Sequence, residues 1–210
     1  MVTYLNEGPV HMSTISKRLQ FNRRSMRLRN YDYSNPGHYF VTLCTNKRYR
    51  FFGYIYRKRL FLNSPGRMIG DIWLSLSGRF PDIRMDEFIV MPNHFHGIIE
   101  IHHRAQTNPA NPGNLQGRIL HSPDYDHGRL RDHYNRTPYH PDGTQSGSLG
   151  RVIQAFSSLT TNAYINGVKD KNWRSFNRRL WQRNYHDHII RSRKELNIIR
   201  QYIRKNPETW

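Results

Sequence analysis

A mixed α+β class is what the patterning of this chain predicts, and three observations carry the prediction. The stretch GHYFVTLCT, Gly37 to Thr45, is dense in β-branched and aromatic residues and follows the turn signal Ser34-Asn35-Pro36-Gly37, so it predicts a strand. Met68/Ile69, Ile72 and Leu76 recur at helical spacing. Ser192-Arg193-Lys194-Glu195 is a capping box ahead of Leu196, Ile199 and Ile203, which share one helix face.

The remaining elements follow in order. Residues 1–30 are polar and basic without a sustained period, and a mobile arm is expected there. A second, weaker strand is predicted over Tyr54 to Leu62. Ser64-Pro65 places an N-cap before a proline at the first helical position, and the helix should end near Gly78 or Pro81. From Ile83 the apolar residues take odd positions (Ile83, Met85, Ile89, Met91). Glu87 interrupts them and Phe88 and Val90 fill even positions, as in a strand entering a buried sheet. Pro92-Asn93 breaks or bulges that run, and another strand is expected from His94 to Ile101. Residues 105–148 are crowded with Asn, Pro, Gly, Asp and His and have no period, which predicts a polar, flexible insertion. A helix face returns with Leu149, Val152/Ile153, Phe156, Leu159 and Ala163, and Arg178 to Arg191 reads as a strand or turn-strand. Pro207 should end the last helix, with Asn206 in a pre-proline conformation. One domain formed by 31–104 and 149–210 is therefore expected.

Composition narrows the partner. Among 210 residues, Lys+Arg number 33 against 15 Asp+Glu, a formal charge of +18, so a polyanion is the expected ligand. Arg23, Arg24, Arg27, Arg29, Lys47, Arg48, Arg50 and Lys205 are among the cations; of these Arg23, Arg24, Arg27, Lys47, Arg48 and Lys205 are the candidates for nucleic-acid contact. Aromatic residues make up 13% and add rings for base stacking. No apolar run approaches a membrane span, no apolar segment of a secretory leader opens the chain, and Cys44 is the single cysteine. A cytoplasmic protein without an internal disulfide or a cysteine-built zinc site is expected.

Chemistry concentrates in MPNHFHGIIEI, Met91 to Ile101. In a strand, His94 and His96 share one side while Phe95, Ile99 and Ile101 share the other, with Ile98 on the histidine side. Two imidazoles on one face suit either a metal site with open positions or a pair hydrogen-bonded within the fold. His186 and His188 have the same spacing, and spacing does not rank the two pairs. On the last helix Tyr202 and Asn206 lie four apart, a phenol able to attack a phosphodiester beside an amide able to complete a metal site. Tyr185, Tyr164 and Tyr39 are the other tyrosine candidates.

YDYSNPGHYFVTLCTNKR, FFGYI, MPNHFHGII, LWQRNYHDHIIR and YIRKNP occur in that order. Together they resemble the REP-associated tyrosine transposases, a group of the single-tyrosine transposases with a His-hydrophobic-His (HUH) motif. The resemblance covers about residues 23–104 and 149–207. It implies an antiparallel sheet flanked by helices (the ferredoxin-like HUH endonuclease fold) and a Mg2+- or Mn2+-dependent enzyme that nicks and transfers single-stranded or hairpin DNA. It implies His94 and His96 as metal ligands, Asn206 as a third, and Tyr202 as the nucleophile of a 5′-phosphotyrosine intermediate. Monomer and homodimer both remain open. The chain ends three residues after Pro207, where members of that group commonly continue, so a shortened copy is one expectation. Two other classes fit the same residues: a catalytically silent nucleic-acid-binding relative, and a metal-dependent nuclease without a tyrosyl intermediate.

Overall fold

The computed structural model describes residues 31–102 and 147–210. The arm expected over 1–30 lies outside the described residues, as does the 105–148 segment apart from its last two positions. Within the described residues the fold is α+β, an antiparallel four-stranded sheet with helices on both faces.

The strands are β1 (Gly37–Cys44), β2 (Gly53–Tyr56), β3 (Arg59–Leu62), β4 (Ile83–Met91), β5 (His94–Ile101) and β6 (His186–Ile190). The helices are α1 (Ser64–Arg79), α2 (Leu149–Asp170) and α3 (Arg193–Lys205). The main sheet has the order β4-β5-β1-β6 with every neighbour antiparallel, and β2 and β3 form a separate pair. With α1 after the first sheet strand and α2 after the third, this is a ferredoxin-like β-α-β-β-α-β arrangement. Helix α3 is an addition after it.

One sheet face carries Tyr39, Val41, Leu43, Phe95, Gly97 and Ile99 and packs under α1 and α2. Trp73 of α1 and Phe156 of α2 meet Phe95 there, with ring centroids 4.6 and 5.0 Å from it. Gly97 is required by this packing: a Cβ would lie 2.5 Å from Cζ2 of Trp73. The broken alternation of β4 is a β-bulge between Met85 and Phe88. Met85 pairs with Ile99 on the aromatic face, whereas Ile89 and Met91 pair with His96 and His94 on the other. The extra residue switches which parity faces which side, and so reconciles the odd and even apolar positions.

Several boundaries differ from the expectation. The single strand predicted over 54–62 is a hairpin, because Arg57 and Lys58 both adopt positive φ (49° and 61°) and reverse the chain. The N-cap of α1 is Asn63, whose side chain accepts from the Gly66 amide at 2.9 Å, rather than Ser64. Helix α2 runs on to Asp170, and only His186–Ile190 of the 178–191 stretch is strand. Ser192 caps α3 as expected, accepting from the Glu195 amide at 3.1 Å. Asn206 is αR (φ −55°, ψ −41°) and opens a 3₁₀ turn through Glu208, against the usual pre-proline preference for extended backbone. Its side chain is buried. Among the described residues no helix is long and apolar enough to cross a membrane.

Candidate active site

The face opposite the aromatic core is built from three rows of directly opposed residues. Met91, His94 and Cys44 form one, Ile89, His96, Thr42 and His186 the next, and Ile98, Phe40 and His188 the third. Both histidine pairs therefore face the same side, on β5 and on the edge strand β6. Helix α3 covers this face against β4 and brings Tyr202 to the β5 pair.

His94 and His96 are buried, 7% and 5% exposed, with ring centroids 4.6 Å apart. The Tyr202 ring stands edge-on to His96 at 5.5 Å and to Phe40 at 6.1 Å, and Phe40 stacks on His96 at 5.3 Å. Asn206, also buried, interacts through its side chain with both His94 and Tyr202. Tyr202 and Asn206 reach the histidines together because they are one helical turn apart.

Each imidazole is anchored through Nδ1. His94 Nδ1 donates to Asn93 Oδ1 at 2.8 Å, since an amide oxygen only accepts, and Asn93 Nδ2 donates to the Arg48 carbonyl at 3.2 Å. His96 Nδ1 shares a hydrogen bond of 2.7 Å with Thr42 Oγ1. Protonation of His94 at Nδ1 leaves the lone pair on Nε2, and a hydroxyl accepting from His96 does the same there.

Burial is the main cause of the site's electrostatics. It depresses the pKa of His94 to about 4, with the Arg48 charge adding to the effect and Asn206 opposing it. It depresses His96 well below the usual range, assisted by His94, Arg48 and His186. His186 is lowered by burial and Arg48. Both β5 imidazoles are thus neutral at pH 7, the state a metal ligand requires. Burial raises the Tyr202 phenol, and Asn206 pulls it part of the way back. Burial also raises the Cys44 thiol, which stays protonated beside His94.

His188 and the other tyrosine candidates separate from this cluster. His188 bonds Glu195 at 2.7 Å, and Glu195 also accepts from the Arg191 amide at 2.8 Å, so His188 braces the start of α3. Tyr164 donates to the Arg174 carbonyl on the aromatic face, and burial pushes its pKa up to about 12. Tyr39 donates to the Asn35 carbonyl on that same face. Tyr185 directly precedes β6. Arg48 lies close enough to the histidines to act on them; Lys47 is its neighbour, both with positive φ, and Lys205 closes α3. Arg23, Arg24 and Arg27 fall outside the described residues.

Two ion pairs that sequence spacing does not predict hold α3 in place. Arg200 binds Asp86 through Nε at 3.1 Å, and Arg204 binds Glu87 through Nη2 at 2.6 Å. Asp86 and Glu87 are the bulge itself, so the residue that broke the strand pattern anchors the helix of Tyr202. Trp210 stacks on His94 at 5.4 Å, with the Arg50 guanidinium 5.9 Å from the indole centroid.

Among the described residues no three His, Cys, Asp or Glu side chains cluster as a metal site. A cation would therefore draw on His94, His96 and the Asn206 amide, two neutral nitrogens and one oxygen. That donor set fits a divalent ion with coordination positions left for substrate oxygens.

The site is thus a buried histidine pair on a ferredoxin-like sheet, covered by a tyrosine-bearing helix. Over 189 residues the chain is 33% identical to a Haemophilus influenzae protein described as uncharacterized, covering 90% of each, and it belongs to the family of that protein. No family model matches the chain. Among solved structures, that of a REP-associated tyrosine transposase bound to a REP hairpin is similar at TM-score 0.49 and 16% identity, covering 87% of this chain and 73% of that one.

Proposed function

We propose that this chain is a metal-dependent single-tyrosine DNA strand transferase of the HUH transposase type. One observation carries the reading: two neutral, Nδ1-anchored histidines on β5 are met by Tyr202 in the last turn of α3 and by Asn206 directly after it. Phenol, metal-donor nitrogens and an amide oxygen are thereby within one buried cluster.

His94, His96 and Asn206 would hold Mg2+ or Mn2+, which when bound supplies Lewis-acid polarisation of the scissile phosphate. Arg48 supplies fixed positive charge beside the histidines and draws the DNA phosphate toward them. Tyr202 Oη attacks phosphorus: the Oη–P bond forms and the P–O3′ bond breaks. The phenolic proton passes to solvent, and the departing 3′ oxygen takes one up. The product is a 5′-phosphotyrosine and a 3′-hydroxyl. Attack of a 3′-hydroxyl on that ester reverses the bonds and rejoins strands, with no external energy source. Asn206 assists by favouring the phenolate against the burial that opposes it.

The test is incubation of the protein with labelled single-stranded hairpin DNA and Mn2+, followed by denaturing electrophoresis. Wild type forms a denaturation-resistant adduct, and Tyr202→Phe binds the DNA without forming one. An adduct in Tyr202→Phe overturns the assignment. Cleavage to free 5′-phosphate ends that tolerates Tyr202→Phe identifies a nuclease without a tyrosyl intermediate, and binding without cleavage identifies a silent relative.

A further inference from the structure

The hairpin β2–β3 lies outside the main sheet, and its two faces differ. Ile55, Leu60 and Leu62 are half-buried on the inner one, and β3 packs against the 206–208 turn, which begins with Asn206 and follows the helix of Tyr202. The outer face presents Tyr54, Tyr56 and Phe61, exposed at 58%, 56% and 37%. Tyr54 and Phe61 are cross-strand partners with rings stacked at 5.2 Å and 13°, and the Arg57 guanidinium sits 5.3 Å from the Tyr56 ring. Arg57 and Lys58 form the two-residue turn, and Arg59 follows.

Stability alone does not account for this surface. Two positive-φ positions in a two-residue hairpin favour Asn-Gly, so placing Arg and Lys there costs backbone energy. Exposed aromatics on a hairpin that pairs with no further strand among the described residues invite aggregation, and one cross-strand pair would suffice to hold the register. Residues 53–62 hold three cations and no acid. Flat rings interleaved with guanidinium groups fit bases and phosphates together, the combination by which proteins hold single strands without reading sequence.

We propose that the outer face of the β2–β3 hairpin is a stacking platform for unpaired bases of DNA. It would hold the stretch of strand that leads to or from the His94/His96/Tyr202 cluster, and to that extent it rests on the function proposed above. Tyr54 and Tyr56 take base faces, while Arg57, Lys58 and Arg59 contact the phosphates between them.

The test is equilibrium binding by fluorescence anisotropy, with the full chain carrying Tyr202→Phe and a chelator present, so that binding is read whether or not the protein cleaves. The probes are a labelled oligothymidylate of about 15 nucleotides and an abasic strand with the same number of phosphates. The parent protein should prefer the base-bearing strand. Adding Tyr54→Leu with Phe61→Leu keeps apolar bulk but removes the rings. It should weaken base-bearing binding at least about tenfold and leave abasic binding unchanged, whereas Tyr54→Phe should bind like the parent. Equal affinity of the parent for the two strands, or an unchanged leucine variant, overturns the platform. Should the leucine variant fail to fold, ultraviolet crosslinking of a bromouracil strand to the parent decides the matter. Crosslinks mapped to Tyr54, Tyr56 or Phe61 support the platform, and crosslinks only elsewhere overturn it. Missing adducts in wild type would instead count against the strand-transfer reading, while this binding difference would stand.

Discussion

Lowering the pH should destabilise the metal-free protein before any carboxylate is involved, and His94 is the group that isolates the effect. In the unfolded chain its imidazole titrates near the ordinary 6.5; in the fold, burial and Arg48 hold it at about 4. Above 6.5 both states keep it neutral and the native state is unpenalised. As the pH falls from 6.5 toward 4, the unfolded chain takes up a proton that the native protein refuses, so stability declines across that window. At about 1.4 kcal/mol for each pH unit, the loss attributable to His94 is about 3 kcal/mol when complete. His96 and His186 are depressed too and steepen the wild-type curve. Subtraction of a His94→Asn variant, whose amide retains a donor toward Asn93, leaves the His94 part. Urea denaturation in chelator at half-unit pH intervals measures both proteins. Between pH 6.5 and 4.5, above the range where Glu195 and other carboxylates lose their native contribution, the curves should converge as the wild type falls faster. Parallel curves would refute the claim that the native fold holds His94 neutral.

Three further outcomes are expected. Arg204→Met leaves Glu87, 3% exposed, without its guanidinium partner in the bulge; it should cost about 2–3 kcal/mol in denaturation, below the usual figure for a fully buried pair because Arg204 itself is partly exposed. Glu87→Gln added to it should recover much of that loss; no recovery would mean the pair is not what holds α3. Gly97→Ala drives a methyl into Trp73 and should destabilise by about 1–3 kcal/mol, visible as a lowered melting temperature and altered tryptophan fluorescence. Thr42→Val leaves the buried His96 Nδ1 unpaired and should weaken Mn2+ binding about 10- to 100-fold by calorimetry, with a stability loss of about 1–3 kcal/mol; unchanged affinity would detach Thr42 from ligand orientation.

Local physics made much of this protein legible from its residues. Strand parity alone put His94 and His96 on one side and Phe95 and Ile99 on the other, because side chains alternate with a period of two. Helical periodicity likewise aligned Tyr202 with Asn206 and identified the Leu196/Ile199/Ile203 stripe, and the Ser192 cap marked where that helix begins. What parity could not express was the bulge at Asp86 and Glu87. An extra residue in one strand is defined only by the partner strand it fails to match. The ion pairs from that bulge to Arg200 and Arg204 span more than a hundred residues and left no spacing to read. Nor could spacing choose between His94/His96 and His186/His188, since both pairs face the same side of one sheet. In the structure the packing of α3 separates them, setting Tyr202 against His96 while Glu195 takes His188. Periodicity depends on neighbours along the chain, so the sequence determined which side chains share a face. Which of two equivalent histidine pairs meets the tyrosine depends on how a distant helix docks, and that was decided by the tertiary structure.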